Sequence, residues 1–179
     1  MILLAAMILS PRIQTRWVAI ALAIAGFWLS CTALLDFLIM PSMYVSGMMR
    51  DPGFAATGYT LFWAFNRVEL LCAAGIVTAL LALRHRQSAF EVSQCGSQSR
   101  WAIALGALLI GLTLLDTYGL TPQMSALAFG SVPEHVPASM TWMHGAYWLA
   151  EGLKLGGLAM LARLCIPDLQ PTPSPAIAG

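Results

Sequence analysis

The sequence predicts an all-α protein that is an integral membrane four-helix bundle. Its 179 residues are 59% hydrophobic and only 9% charged, with a mean hydropathy of +0.75. A soluble domain needs about 25% charged residues to cover its surface. Four apolar runs also reach about 20 residues, the length at which a helix crosses a hydrocarbon core. The runs are continuously apolar and do not alternate, which indicates helices rather than barrel strands.

The predicted spans follow one another with short connections. They cover approximately residues 18–40, where Pro41 is expected to end the helix, then 59–83, 101–120 and 141–165. Residues 17–166 thus form the domain of four transmembrane helices. Residues 1–16 form an apolar and basic lead-in too short to span. Residues 167–179 form a proline-rich tail, expected to be irregular.

Basic residues in the connections predict the orientation. Arg50 alone lies on one side of the membrane, whereas the opposite side holds Arg12, Arg16, Arg84, Arg86, Arg100 and Arg163. Because short cytoplasmic loops carry the excess of Lys and Arg, both termini are predicted to be cytoplasmic. We expect a multi-pass protein of a bacterial plasma membrane or a thylakoid.

Several function classes receive no support from the sequence. A net charge of +1 gives no basic field for nucleic acid. The four cysteines form no CxxC motif, and none of them lies in a predicted exoplasmic loop. No phosphate loop, nucleophile elbow or zinc-protease motif occurs, so no catalytic residue is predicted. The expected partners are the lipid bilayer and, within it, another membrane protein or a second copy of the chain.

Polar residues inside the spans are the most informative feature. Charges in hydrocarbon are costly, so these side chains are expected to face one another or a water-filled cavity. We expect one intramembrane polar cluster, in the exoplasmic half, made of Asp36, Asn66, Arg67, Glu69, Asp116, His144, Tyr147, Glu151 and Lys154. The members from the fourth span share one helix face by their spacing.

Two interpretations of this cluster stay open. It holds four helices together, or it is a polar cavity for an ion, a proton or a small polar ligand, with Glu69 or Glu151 as proton carrier. We expect a compensated network in which Arg67 and Lys154 neutralise the two glutamates and Lys154 pairs first with Glu151. Glu151→Gln should then fold poorly unless Lys154→Met accompanies it.

Methionines near the exoplasmic loops suggest an alternative function, the binding of a soft metal ion. Thioether and imidazole ligands suit Cu(I), and the candidates are Met43, Met48, Met140, Met143 and His144. Methionine also supplies adaptable apolar packing, so no metal site is assigned. Only His144 lies within a span, which argues against a haem held by two histidines. Cofactors therefore stay unknown.

Three stretches resemble one group of membrane proteins. They are TALLDFLIMPSMYVSGMM, GYTLFWAFNRVELLCAA and MTWMHGAYWLAEGLKLGGLAML. Together with four spans they resemble the small proteins grouped with transmembrane protein 205, a domain family of unknown function, and look like its cyanobacterial members. In that family the fourth span opens with histidine, a small hydroxyl residue three on and asparagine seven on. Here those positions hold His144, Tyr147 and Glu151, so the pattern departs at the last two.

Taken together, these features predict a non-enzymatic membrane protein with a structural, accessory or transport-related role. Two alternatives stay open. One is a copper-type soft-metal handling protein that uses exoplasmic Met and His, and the other is a cofactor-binding or enzymatic membrane subunit.

Overall fold

A computed structural model describes residues 2–48, 53–90, 96–130 and 138–169. These residues are helical apart from short turns and contain no strand. The helices are α1 (Ile2–Leu34), α2 (Met40–Val45), α3 (Phe54–Phe90), α4 (Gly96–Leu114), α5 (Thr121–Gly130) and α6 (Ala138–Cys165), and a 3₁₀ turn follows at Ile166–Leu169.

Three helical segments are long and apolar enough to cross a membrane. They are Arg16–Val45, Ala56–Arg84 and Arg100–Ala126. The fourth predicted span lies in α6, which does not reach the same hydropathy. Glu151 and Lys154 lie in the middle of α6 and lower its average.

Two π-helical turns make long rods out of shorter helices. Leu35–Ile39 joins α1 to α2, and Leu115–Leu120 joins α4 to α5. Each turn ends just before a proline, Pro41 or Pro122. Proline lacks an N–H, and its ring clashes with the carbonyl four residues earlier. The wider turn bonds residues five apart, Met40 N–H to Leu35 O and Thr121 N–H to Asp116 O, which relieves that clash.

The prediction that Pro41 ends the first helix is therefore wrong. Pro41 does not stop the first helix, which continues to Val45, and the third continues past Leu120 to Gly130. The predicted lead-in is helical along its described residues, because α1 begins at Ile2 and runs without a break into the first span. Of the predicted tail, residues 170–179 lie outside the described residues.

The four rods form a square bundle. Helix α1 packs against α3 and α6, and α4 packs against the same two helices. Helices α1 and α4 thus occupy one diagonal of the square, and α3 and α6 occupy the other. Among the described residues, the backbones of the two helices on a diagonal do not come into contact. We call the end of the bundle where α3 and α6 begin the α2–α3 end.

Two glycines allow close contact between neighbouring rods. A Cβ at Gly75 of α3 would lie 3.0 Å from Ile24 Cδ1 of α1, and one at Gly157 of α6 would lie 3.2 Å from Leu109 Cδ2 of α4. The absence of a side chain lets these helix pairs approach where the core is apolar.

The core divides along the bundle axis into an apolar part and a polar part. The apolar part lies away from the α2–α3 end, and its buried members include Val18, Ala25, Trp28, Ile76, Leu80, Leu109, Leu158 and Leu161. Polar and charged residues are buried on the other side of this layer. The chain thus buries its charges and exposes large apolar side chains such as Leu71, Trp142 and Leu149.

Candidate functional site: a buried lysine among carboxyl groups

Lys154 is the centre of the buried polar cluster. Its Nζ lies 2.6 Å from Glu69 Oε2, 2.7 Å from Glu151 Oε1 and 3.0 Å from Asp116 Oδ2. The Lys154 side chain is 0% exposed. The three carboxyl groups belong to α3, to α6 and to the π-turn after α4, so a single ammonium group joins three rods.

Glu69 is the carboxyl group with the most hydrogen-bond donors. Trp28 Nε1 donates to its Oε1 at 2.7 Å, and Thr32 Oγ1 donates to the same oxygen at 3.2 Å. Lys154 donates to Oε2. Hydrogen bonds in which one partner is charged are the strong ones, so these three donors hold Glu69 firmly between α1 and α6.

Asp36 is the fourth buried carboxyl group. It is 4% exposed and lies within electrostatic range of Lys154 and Glu69. Trp28, Thr32 and Asp36 follow each other at four-residue spacing, so α1 presents one polar face to the cluster.

The two aspartates occupy equivalent places in their rods. Asp36 and Asp116 are each the second residue of a π-turn, and each is preceded by two leucines. A π-turn shifts the helical register, which re-aims the side chains that follow. The prolines that cause these turns therefore help to position both carboxyl groups.

A second, thinner layer separates the cluster from the α2–α3 end. Asn66 Nδ2 donates to Thr121 Oγ1 at 2.9 Å. The rings of Phe62 and Tyr147 meet edge to face with centroids 5.4 Å apart, across the α3–α6 diagonal. Phe62 is only half-buried. The fully buried apolar core lies on the other side of the cluster, whereas this side includes the half-buried Phe62.

Several buried oxygens of the site lack a hydrogen-bond partner among the described residues. They are Asp36 Oδ2, Asn66 Oδ1, Asp116 Oδ1, Asp116 Oδ2, Tyr147 OH and Glu151 Oε2. The contact of Asp116 Oδ2 with Lys154 has the distance of an ion pair but not the geometry of a hydrogen bond. Leaving a buried acceptor unsatisfied costs about 1 to 3 kcal/mol. Five of these atoms are acceptors and Tyr147 OH can donate only one hydrogen, so the site has more acceptors than donated hydrogens.

The structure brings together seven of the nine residues predicted for the cluster. Buried there are Asp36, Asn66, Glu69, Asp116, Tyr147, Glu151 and Lys154. The predicted pair of Glu151 with Lys154 is present. His144 lies exposed near the start of α6, outside this buried set.

The prediction that Arg67 neutralises the cluster is wrong. Arg67 lies on the outward face of α3, with its guanidinium carbon 3.6 Å from the centroid of the Trp63 ring. The reason is the helical rotation of about 100° per residue, which separates Arg67 from the inward Asn66. Lys154 is the one cation among the described residues of the cluster.

Trp28, Phe62 and Thr121 belong to the site although the sequence analysis did not select them. Trp28 was recognisable by its four-residue spacing from Thr32. Phe62 shares a face with Asn66 and Glu69 by its spacing, although its contact with Tyr147 joins two rods. The contact of Thr121 with Asn66 also joins two rods, and no spacing within one helix reveals it.

The predicted soft-metal ligands are distributed as follows. Met43 and Met143 are half-buried, and Met48 is exposed. The side chain of Met140 lies outside the described part of the structure. Within that part no group of three or more His, Cys, Asp or Glu is arranged to hold a metal ion. The thioether site stays a prediction.

Comparisons with protein-family models, curated proteins and solved structures find no significant match to this chain. The resemblance to the proteins grouped with transmembrane protein 205 stays a prediction.

Proposed function

We propose that this chain is an integral membrane four-helix protein with both termini cytoplasmic and a non-enzymatic, transport-related role. In this role the cluster around Lys154 binds protons within the membrane and passes them across it, with the shorter route on the exoplasmic side. The excess of carboxyl groups over cations in the cluster is the observation that carries the proposal.

The burial pattern of α6 supports its placement as a fourth span. Glu151 is 2% exposed and Lys154 0%, while Leu149 is 66% exposed. Average hydropathy underrates such a helix, because its charges face the bundle and its apolar side chains face outward. Intramembrane ionisable residues face the interior of a helix bundle in this way.

Charge counting supports proton binding. The cluster holds four buried carboxyl groups, Asp36, Glu69, Asp116 and Glu151, and one ammonium group. Electrical neutrality therefore calls for protons on three of the four carboxyl groups, unless a further cation binds. Isolated ionised carboxylates are very costly to bury, so neutrality dominates the energetics of such a site. Protons on Asp36, Asp116 and Glu151 would also supply the hydrogens that the unsatisfied oxygens lack.

A purely structural role accounts less well for this composition. One carboxylate is enough to pair Lys154, and hydrogen bonds between membrane helices contribute only about 0.6 to 2 kcal/mol each. Further acidic groups would add a burial cost without adding a cation. The thin layer of Phe62 and Tyr147 also leaves a short route towards the exoplasmic end.

Proton flux through purified protein in sealed liposomes tests this proposal. The vesicles contain a pH-sensitive dye, and a potassium gradient with valinomycin sets the membrane potential. We expect flux above that of empty vesicles, and its loss in Asp116→Asn. The matched control is Arg84→Gln, which removes an exposed charge near the far end of α3. Flux equal to empty vesicles, or unaffected by Asp116→Asn in folded protein, would overturn the transport-related role.

A further inference from the structure

We propose that Arg67, Trp63 and an apolar groove between α1 and α3 bind an anionic phospholipid of the exoplasmic leaflet. The phosphate would contact the guanidinium of Arg67, and an acyl chain would lie in the groove. This proposal rests on the membrane placement given above and not on proton exchange.

Arg67 is a cation on the outer surface of the bundle. Among the described residues its guanidinium contacts the Trp63 ring and forms no ion pair. Trp63 is itself 46% exposed. An uncompensated charge that faces lipid is unfavourable, so an anion supplied by the surroundings would stabilise it.

The direction of the Arg67 side chain takes the charge towards the membrane surface. Trp63 lies four residues earlier, one turn closer to the start of α3, and the guanidinium stacks on it. This is the snorkelling direction for an arginine on a helix that begins at the exoplasmic side.

The depth of this pair fits the headgroup boundary. The 29-residue segment Ala56–Arg84 is about 43 Å long at about 1.5 Å per residue, and the hydrocarbon core is about 30 Å thick. If the segment is centred, about 6 Å at each end lies among the headgroups. Along the helix axis Trp63 is about 10 Å from Ala56. It is hence about 4 Å below the boundary between headgroups and hydrocarbon, where aromatic side chains commonly lie.

The groove is lined by apolar side chains, and its α3 residues follow Arg67 within about the next one and a half turns. Its volume is about 460 Å³, and its walls are Ala23, Ile24, Phe27, Val68, Leu71 and Cys72. Leu71 is one turn after Arg67 and 74% exposed, so it borders both the groove and the outward face. The walls suit an acyl chain, whereas the planar guanidinium suits a phosphate through paired hydrogen bonds.

Charge complementarity favours an anionic lipid over a zwitterionic one. Both carry a phosphate, but only the anionic lipid has the net negative charge that compensates Arg67. A basic residue near an anionic surface produces about fivefold enrichment of such lipids. The competing occupant is an acidic residue of a second copy of the chain.

Quenching of Trp63 fluorescence by brominated lipids tests the site. The protein is placed in nanodiscs of phosphatidylcholine that contain either brominated phosphatidylglycerol or brominated phosphatidylcholine. Subtracting the signal of Trp63→Phe isolates Trp63. We expect about fivefold stronger quenching by the anionic lipid, and equal quenching in Arg67→Gln. Arg84→Gln is the matched control and should retain the preference.

Three results would overturn the proposal. One is equal quenching of Trp63 by the two lipids in the wild type. Another is a preference that Arg67→Gln retains. The third is a dimer in detergent that Arg67→Gln converts to a monomer, because the anion would then come from a second copy. Quenching by neither lipid would count against the membrane placement itself. Proton flux is expected to be unchanged in Arg67→Gln, so failure of this site is distinguishable from failure of the proposed function.

Discussion

Lys154 Nζ and Glu69 Oε2 lie 2.6 Å apart although their helices, α6 and α3, occupy opposite corners of the bundle. This contact therefore crosses the bundle axis. Because Trp28 and Thr32 of α1 and Asp116 after α4 also meet this pair, it connects all four rods.

We expect Glu69 to be the carboxyl group on which folding depends most. Glu69→Gln removes the anion that pairs Lys154 and should lower the free energy of unfolding by about 3 to 5 kcal/mol. Adding Lys154→Met should restore part of this loss. Denaturation in detergent measures both variants, and a double variant no more stable than Glu69→Gln would contradict the pairing.

Glu151→Gln should be tolerated, in contrast to the prediction made from sequence. In the proposed account Glu151 is already protonated, so Lys154 stays paired with Glu69 in the variant, and glutamine Oε1 still accepts from Lys154. We expect a loss of about 1 kcal/mol or less, the net value of a neutral hydrogen bond. A loss as large as that of Glu69→Gln would indicate that Glu151 is ionised.

Trp28→Phe tests the support that α1 gives to Glu69. The variant keeps an aromatic ring in the core but removes the Nε1–H that donates to Glu69. Hydrogen bonds to charged groups contribute about 1.5 to 3 kcal/mol, and the free energy of unfolding should fall by that amount. Trp148→Phe, on the outward face of α6, is the control and should change stability little.

Phe62→Ala should speed proton exchange. The substitution removes one ring of the aromatic pair that closes the cluster towards the α2–α3 end. Exchange of the protonated carboxyl groups in D₂O, followed by infrared spectroscopy, should be faster than in the wild type, whereas the outward-facing Phe27→Ala should leave it unchanged. An unchanged exchange rate in Phe62→Ala would mean that protons do not pass this layer.

The orientation can be tested by cysteine labelling. In a variant without the native cysteines, Ser97→Cys should react with a membrane-impermeant reagent only from the cytoplasmic side, and Ser131→Cys only from the exoplasmic side. Sealed vesicles of known sidedness serve for a thylakoid protein. Labelling of Ser97→Cys in intact cells would show the opposite orientation.

Contacts within one helix were predictable from sequence, and contacts between rods mostly were not. The spacing of three between Glu151 and Lys154 indicated their pair directly. Glu69 was expected near Lys154 only because the two residues lie at a similar depth in the membrane, counted along their helices. The same criterion wrongly included Arg67. Depth ignores the direction in which a side chain points.

The helix end at Pro41 was predicted wrongly because proline usually ends a helix. Pro122 likewise lies within a rod that continues past it. Here each proline follows a π-turn that accommodates it. A signal was present, since Leu-Leu-Asp occurs at 34–36 and again at 114–116, each time five or six residues before a proline. This repeated pattern marks both aspartates of the cluster.

Infrared spectroscopy of the carboxyl groups tests the central claim most directly, namely that the cluster holds protons. At neutral pH the wild type should show the carbonyl stretch of protonated carboxyl groups, shifted in D₂O. Asp36→Asn, Asp116→Asn and Glu151→Gln should each weaken this band. Glu69→Gln, provided that it is folded, should not remove it, because Asp36, Asp116 and Glu151 remain in the cluster. A wild-type spectrum without the band, or a band that none of the first three variants changes, would contradict the account.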